Sequence, residues 1–516
     1  MAVPKVPAEL ASDFPMLVTS VRLSWRLICG DPQFSSLVRV HLLGTDQGSE
    51  REQAIPWRYD GGCSGPQHRE HTKMKTQATR PILLMLVVAV AVPGLGLAAD
   101  AETPTFYGDV LPVLQENCQT CHRPEGEGEN IGGMIAPMPL MTYQQTRPWA
   151  RSIARAVENR SMPPWFATEA TRGKFHHERV MSDDEIETVL AWARGGSPAG
   201  DAADAPAPKK FVEEGSGGWS LGRPDLVVQM PENYWVADDI ADININFETE
   251  LTEEMLPETV WVRGVEFKVG GSDVHHMCAS VRPPGGATAL GKFSDSSIGC
   301  IALGAESHLM EPGYAMKLEP GSTIEFSMHY NKEAGEGSGF YDRSEIGFVF
   351  ADAPESELRE VKFDSIGNLT FEIPPGHERW KVGAARVFPV ETDILALWPH
   401  AHLRSVAVRY DAFYPDGTTE VLLDVPNYDQ EWQTTYQYKK PKTIPAGTRV
   451  EVSMWFENSP ERGEERGFDP ADNVVNGTAT TDEMMLGFVA WAPVEPVDPI
   501  ALRLGVASIQ SSGGGE

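Results

Sequence analysis

The chain has 516 residues, of which 41% are hydrophobic and 9% aromatic, a composition that supports packed cores and excludes a wholly disordered protein. Its 43 basic and 74 acidic residues leave a formal net charge of −31, which repels phosphate backbones and argues against a nucleic-acid partner. Six cysteines are too few for a disulfide scaffold of this size, but they can supply specific chemistry.

An export signal lies in an unusual position, well inside the chain. Residues 1–73 show no sustained helical or strand period, and they are followed by two basic residues, a 16-residue apolar run and small residues. This pattern predicts a secretory signal peptide over residues 74–98, because a spanning helix needs roughly 20 apolar residues. We therefore expect translation to start at Met74, with residues 1–73 as a non-native upstream extension; a real, poorly ordered extension is the alternative. The mature chain is expected to be periplasmic or secreted, without a stable membrane span.

A haem-attachment motif follows the predicted signal peptide. Cys118 and Cys121 are separated by two residues, and His122 follows directly. Two thiols at this spacing can form thioether bonds to one haem while the next imidazole meets the iron. A redox Cys-x-x-Cys that merely precedes a His is the alternative.

Residues 106–117 and 182–193 predict amphipathic helices on either side of this motif. Together with the motif they resemble a small class I cytochrome c, which implies an all-α domain over residues 100–198 with one covalent haem c. Met162 is the expected sixth iron ligand, because it precedes a Pro-rich turn forty residues after His122, the usual place in cytochromes c. A thioether there would favour ferrous iron. The competing residues are Met134, Met138, Met141, His176 and His177.

Composition changes after the helical region. Residues 199–216 are rich in Pro, Ala, Gly and charge and predict a linker that tethers the haem domain flexibly. Short β-branched and aromatic runs separated by turn residues then predict two antiparallel β-sandwiches of jelly-roll type, residues 217–360 and 361–507, followed by a flexible tail, residues 508–516. Among the predicted strands are residues 259–269, 323–330, 345–350, 406–413 and 449–455.

Four clusters in the β-rich region contain residue types that can act as metal ligands. They are His275-His276-Met277, Ser327-Met328-His329, His400-Ala401-His402 and Asp482-Glu483-Met484-Met485. His400 and His402 are two positions apart on a predicted strand, so their side chains leave the same face and can share a metal. His329 alternates with an apolar face and points towards water or a site. His275 and His276 are neighbours, so both reach one metal only if the strand twists or bulges.

Each cluster taken alone also has a structural interpretation. A lone His is more often a hydrogen-bonded core or surface residue than a ligand. Met484 alternates with Leu486 and Phe488, so a core position is its default interpretation.

In their joint order the clusters resemble the copper type II, ascorbate-dependent monooxygenases, the family of peptidylglycine α-hydroxylating monooxygenase and dopamine β-monooxygenase. The similarity covers about residues 217–505 and is closest to bacterial members with a cytochrome c in front. Further sequence segments that match the family are Trp219–Asp225, 399–404, Glu431-Trp432-Gln433 and Thr481-Asp482-Glu483-Met484.

The resemblance implies two copper sites in separate sandwiches that face a solvent-filled gap. The residues that match the family's ligands are His275, His276 and His329 for an electron-storing copper, and His400, His402 and Met484 for the catalytic copper that binds dioxygen. Met485 is the runner-up to Met484. The ligand types agree, because imidazoles suit both copper oxidation states and a thioether favours Cu(I).

Two positions depart from the peptide-hydroxylating members. Trp398 stands where those members have an Arg that clamps a carboxylate, and Phe488 stands where they have a Tyr. Both changes make the pocket less polar, so we expect a small, rather apolar substrate. Cys278 and Cys300 could form a disulfide in an oxidising compartment, with two buried thiols as the alternative.

The expected function is that of an exported dicopper monooxygenase. It would hydroxylate a C–H bond with dioxygen, using electrons that an unidentified donor supplies through the haem. One alternative is a periplasmic haem and copper protein for electron transfer or copper handling, without monooxygenase activity. Another is a pair of purely structural sandwiches in which His400 and His402 are incidental.

Overall fold

The computed structural model describes the chain over several ranges with gaps between them. The described residues are 21–23, 37–43, 50–56, 103–123, 136, 138–211, 216, 218–271, 273–285, 297–302, 307, 309–497 and 508–511. The chain divides into two units, Met1–Gly96 and Leu97–Glu516. In the first unit the antiparallel strands β1 (Val21–Leu23), β2 (Leu37–Leu43) and β3 (Glu50–Pro56) are described. The predicted signal peptide lies outside the described residues.

The second unit is mostly β-sheet with few helices, and its helices are concentrated in residues 103–211, here called the helical module. A π-helical turn at Phe106–Val110 continues into α1 (Leu111–Asn117), followed by α2 (Tyr143–Thr146), α3 (Ala150–Glu158) and α4 (Asp183–Arg194). Ser182 caps α4 by accepting the Glu185 N–H, which confirms the predicted start of that helix. The apolar core of the module includes Phe106, Leu114, Ile153, Val157, Leu190 and Trp192.

A first sandwich follows the module. Its strands are β4 (Leu226–Gln229), β5 (Tyr234–Val236), β6 (Asp242–Glu250), β7 (Val260–Lys268), β8 (Val274–Arg282), β9 (Ser297–Ala302), β10 (Tyr314–Leu318), β11 (Thr323–Asn331), β12 (Phe340–Asp342), β13 (Glu345–Phe350) and β14 (Arg359–Glu360). A five-stranded sheet in the order β14-β10-β7-β13-β4 and a four-stranded sheet in the order β6-β11-β8-β9 share one apolar core. The predicted strands at 259–269, 323–330 and 345–350 are confirmed as β7, β11 and β13.

A second sandwich completes the unit. Its elements are β15 (Lys362–Gly367), β16 (Glu372–Ile373), β17 (Trp380–Phe388), β18 (Thr392–His400), β19 (Ser405–Phe413), β20 (Thr419–Val425), β21 (Tyr436–Ile444), β22 (Thr448–Phe456), α5 (Pro460–Arg466), β23 (Val474–Val475), β24 (Leu486–Pro493) and β25 (Ser508–Ser511). Its main sheets have the orders β15-β24-β18-β21 and β20-β19-β22-β17-β25. The predicted strands at 406–413 and 449–455 are confirmed as β19 and β22. Residues 508–511, which were expected to belong to a flexible tail, instead form β25, and this strand pairs with β17.

The two sandwiches are joined by a polar contact. The chain passes from one sheet system to the other between Glu360 and Lys362. Asp393, at the start of β18, accepts hydrogen bonds from Tyr314 at 2.7 Å and Arg359 at 2.6 Å, both in the first sandwich. These bonds hold β18, which carries His400, against the first sandwich.

The helical module packs directly on the second sandwich. Phe175 is fully buried in the core of that sandwich, and its backbone forms a bridge to Tyr438 of β21. The Lys439 N–H donates to the Lys174 carbonyl at 2.9 Å. Part of the predicted linker packs on α1, where Lys209 Nζ donates to the Gln115 carbonyl at 2.7 Å. The described part of this region therefore differs from the expected flexible tether. Among the described residues, no helix has the length and apolar character needed to cross a membrane.

Candidate metal centres

Three imidazoles of the first sandwich converge on one point. The Nδ1 atoms of His275 and His276 lie 3.1 Å apart, and those of His276 and His329 lie 3.4 Å apart. One ligand nitrogen from each ring lies within 4.8 Å of the other two. Nitrogen lone pairs gathered in this way form a donor set that suits copper or zinc. We call these three residues the triad.

A β-bulge allows two adjacent histidines to share this point. On β8, His276 pairs with His329 of β11, but the next pair along the ladder is Val274 with Tyr330. His275 is therefore the extra residue of a bulge, which redirects its side chain. The condition drawn from the sequence, that adjacent histidines need a bulge, is confirmed.

Carboxylates contact the outer nitrogens of two triad rings. His329 Nε2 lies 3.2 Å from Asp242 Oδ1, and His275 Nε2 lies 3.6 Å from Glu431 Oε2 on the second sandwich. These contacts favour the tautomer with the proton on Nε2, which leaves Nδ1 for a metal. The hydrogen bond with His329 is the main cause of the lowered pKa of Asp242.

The second candidate centre lies where β18 ends. His400 is the last residue of the strand and His402 lies just beyond it, yet their ring centroids are only 5.5 Å apart. His400 Nδ1 lies 2.6 Å from Gln433 Oε1, and His402 Nδ1 lies 3.2 Å from the Asp482 carbonyl oxygen. Because both Nδ1 atoms are engaged, Nε2 is the nitrogen that remains on each ring for a metal. We call these two residues the pair.

The adjacent methionines 484 and 485 have different surroundings. Met484 belongs to a small apolar cluster with Trp398, Leu486 and Phe488. Met485 is fully buried in the core of the second sandwich. Glu483 links Met484 to the pair, because its Oε2 accepts the N–H of His402 at 2.9 Å and that of Met484 at 3.2 Å. The surroundings agree with the choice of Met484 over Met485, and its role as a ligand stays a prediction.

Burial keeps three of these imidazoles neutral, those of His276, His400 and His402. It is the main cause that lowers the pKa of His400 to about 3 and that of His402 to about 4. It also lowers the pKa of His276 well below its usual value, and the neighbouring imidazoles add to this effect. Neutral imidazole is the form that binds a metal, so these three side chains need not lose a proton at neutral pH before they bind one.

The two centres are next to each other across the contact between the sandwiches. The ring centroids of His276 and His400 are 5.7 Å apart. Beside them, the Thr480 hydroxyl of the second sandwich donates to Asp242 of the first at 2.6 Å. The expected solvent-filled gap between the sites is therefore replaced by close contact of the rings.

An aromatic wall borders the pair. The rings of Trp398 and Phe488 stack with centroids 4.6 Å apart, and Phe363 stacks on Phe488 at 5.5 Å. Cys278 and Cys300 are joined by a disulfide and pack against this cluster from the first sandwich. Of the two alternatives that the sequence left open for these cysteines, the structure has the disulfide.

The haem-attachment motif lines a cavity of about 510 Å³, a volume usual for cofactor sites. Cys118, Cys121 and His122 all lie on its wall. His122 Nδ1 lies 3.0 Å from the Met138 carbonyl oxygen, which leaves Nε2 for iron. Burial raises the pKa of the Cys118 thiol to about 12, whereas redox-active cysteines have lowered values. The redox alternative for this motif therefore gains no support.

The geometry narrows the choice of a sixth iron ligand. The candidates that line the cavity are Met138, Met162 and His177. His176 instead contacts Glu311 of the first sandwich at 3.3 Å, and Met141 is not among the lining residues. Met134 lies outside the described residues. Met162 stays a prediction.

Sequence reasoning missed the residues that orient the imidazoles. Glu431 and Gln433 belong to a sequence segment that resembles the family, but the resemblance assigned them no role. Glu483 belonged to a noted cluster without a role of its own. Asp242 carries no local signal, because its partner His329 is 87 positions away along the chain.

Comparison with known protein families and with curated proteins finds no match. Among solved structures, the chain is similar to one from a study of the Mn(II) centres of Bacillus subtilis oxalate decarboxylase. The identity is 9%, the match covers 56% of this chain and 79% of that chain, and the TM-score is 0.14. A score this low carries no argument about fold or function.

Proposed function

We propose that the chain is a copper-dependent monooxygenase of the copper type II, ascorbate-dependent family. It hydroxylates a C–H bond of a small, rather apolar substrate with dioxygen and receives electrons through a covalent haem c in a cytochrome c domain. The observation that carries the proposal is the convergence of the three triad imidazoles on one point in the first sandwich, together with the two imidazoles of the pair on the second.

The donor sets fit copper. The triad offers three Nδ1 atoms, and the pair offers two Nε2 atoms with the Met484 thioether as the predicted third ligand. Imidazole accepts both oxidation states of copper, and a thioether favours the reduced state. Bound copper would store one electron at the triad and react with dioxygen at the pair.

The chain's own residues prepare both centres for metal. Asp242 and Glu431 hold two triad rings in the tautomer that presents Nδ1, and Gln433 holds His400 in the one that presents Nε2. Glu483 fixes the backbone on which the other ligands of the second centre lie. Ligands held in this way bind metal with less loss of side-chain freedom.

The aromatic wall supports an apolar substrate. Trp398 and Phe488 stack beside the His400 ring, with the Phe488 ring centroid 6.4 Å from that of His400. Both rings are buried in this structure, so a substrate that reaches them would contact hydrocarbon rather than charge. A peptide carboxylate would find Trp398 at the position where the peptide-hydroxylating members of the family place an Arg.

The haem site supports the electron supply. Cys118, Cys121 and His122 line one cavity, and the contact of His122 Nδ1 with the Met138 carbonyl leaves Nε2 available for iron. Haem of this kind is attached outside the cytoplasm, which agrees with the proposed periplasmic or secreted location. The proposal does not specify the electron donor to the haem.

The test is substrate-dependent oxygen uptake by the protein loaded with haem and copper, assayed with a reductant and a panel of apolar C–H compounds. Wild-type protein should form hydroxylated product, and Met484→Ala should abolish its formation while the haem spectrum is unchanged. Met485→Leu is the matched control, because a volume-conserving swap in the core costs under about 1.5 kcal/mol and should retain activity.

Loaded wild-type protein that binds both metals but forms no product would contradict the proposal. That result would favour the alternative, a haem and copper protein for electron transfer or copper handling.

A further inference from the structure

Three consecutive residues of the second sandwich contact three different sites. Trp432 lines the cavity that holds the haem-attachment motif. Its neighbour Glu431 places Oε2 3.6 Å from His275 Nε2 of the triad. Its other neighbour, Gln433, places Oε1 2.6 Å from His400 Nδ1 of the pair. One short segment, residues 431–433, thus contacts the cavity and one histidine of each candidate copper centre.

Backbone and side-chain contacts hold this segment in place. The Trp432 N–H donates to the Asp429 carbonyl at 3.0 Å, and the Thr434 N–H donates to the Trp432 carbonyl at 2.9 Å. Arg466 contacts the Asp429 carboxylate at 3.3 Å. A segment fixed on both sides keeps its distances to the three sites constant.

The cavity is also held next to Trp432. Phe175 of the helical module is fully buried in the core of the second sandwich, and His176 donates its N–H to the Gln437 carbonyl at 2.8 Å. The module therefore does not need to move in order to bring its cofactor towards the copper centres.

We propose that residues 431–433 are the internal electron route of this chain, with Trp432 as the entry at the haem cavity and Glu431 and Gln433 as exits towards His275 and His400. The inference rests on the proposed function. In each transfer one electron leaves ferrous haem iron, which becomes ferric, and reduces one Cu(II) to Cu(I). No proton or further reactant takes part, and an external one-electron reductant restores the ferrous haem.

The physical reason lies in the way electrons tunnel. The rate falls steeply with distance through empty space or solvent, and packed atoms and hydrogen bonds slow this fall. The Trp432 ring system, the one peptide bond between Trp432 and Gln433, and the contact between Gln433 and His400 provide such a packed path.

The test uses full-length protein loaded with haem and copper. One electron equivalent of dithionite is added without oxygen, and oxidation of the haem is followed by absorbance while loss of Cu(II) is followed by freeze-quench EPR. Trp432→Leu should slow the transfer by about tenfold or more, or about 1.4 kcal/mol in activation free energy. Trp432→Phe, which retains a ring, should slow it less.

Trp149→Leu is the matched control. Trp149 belongs to the helical module, which carries the cavity, but it is 43% exposed and is not among the residues that line the cavity. Its replacement should leave the transfer rate unchanged. Glu431→Gln should alter the EPR signal of the triad copper and Gln433→Leu that of the other copper, with the haem spectrum constant.

The outcomes separate this inference from the proposed function. An unchanged rate in Trp432→Leu, in protein that holds one haem and two coppers, overturns the route and leaves the monooxygenase proposal standing. Loaded wild-type protein that passes no electron from haem to copper also overturns the route. Failure to bind copper or haem appears in metal analysis before any kinetics, and it overturns the proposed function together with this inference.

Discussion

Asp242 shows how a candidate metal centre can depend on a residue that no motif marks. Its carboxylate contacts His329 Nε2 at 3.2 Å and accepts a hydrogen bond from Thr480 of the other sandwich. It therefore orients one ligand and also ties the two sandwiches together beside the centres. Its contribution depends on its position beside His329, which the local sequence does not show.

We predict that Asp242→Asn weakens copper binding at the triad by roughly 10–100-fold, the usual effect of losing a carboxylate behind a ligand histidine. The amide lacks the negative charge that favours the proton on Nε2 of His329. Competition with a copper chelator, read by EPR, measures the change.

Asp239→Asn is the control for this variant. Asp239 is exposed and lies three positions before Asp242. Equal copper affinity in the Asp242 variant and in wild-type protein would show that the carboxylate does not support the triad.

At the scale of single elements, irregular features place the candidate ligands. The bulge on β8 makes His275 an extra residue, so it joins its neighbour on one side of the sheet. The end of β18 at His400 lets the chain turn, and His402 then lies beside it rather than one full strand repeat away. Periodicity located other strands of the two sandwiches, such as β11 and β19, correctly. It could not locate the bulge or the strand end, because both depend on pairing with distant strands.

The segment around Phe175 is the element that joins the helical module to the second sandwich. We predict that Phe175→Ala lowers the free energy of unfolding of the second sandwich by about 3–5 kcal/mol, because it leaves a cavity in a fully buried site. Denaturant titration followed by circular dichroism measures the loss.

Trp149→Ala serves as the control, because that residue is 43% exposed and should cost little. A Phe175 variant as stable as wild-type protein would mean that this segment does not belong to the core of the sandwich.

At the scale of the whole second unit, the candidate centres lie where separately folded parts meet. The triad belongs to the first sandwich and the pair to the second, and Trp432 of the second sandwich lines the cavity of the helical module. The contacts between these parts therefore decide the distances between the centres.

The limits of prediction follow from the same arrangement. Local periodicity and caps predicted α4, β7 and β22, because those signals lie within a few residues of one another. The order of the histidine clusters predicted which residues come together. The closeness of His276 to His400 was not predictable from local patterns, because it depends on contacts between side chains of two sandwiches.

The most direct test of the central claim is the copper content of the loaded, haem-containing chain, measured by elemental analysis together with EPR, for wild-type protein and for His400→Ala. We predict two coppers per haem iron in wild-type protein. The variant should retain one copper, with the EPR signal of the triad intact. Wild-type protein that binds fewer than two coppers, or a variant that still binds two, would contradict the account.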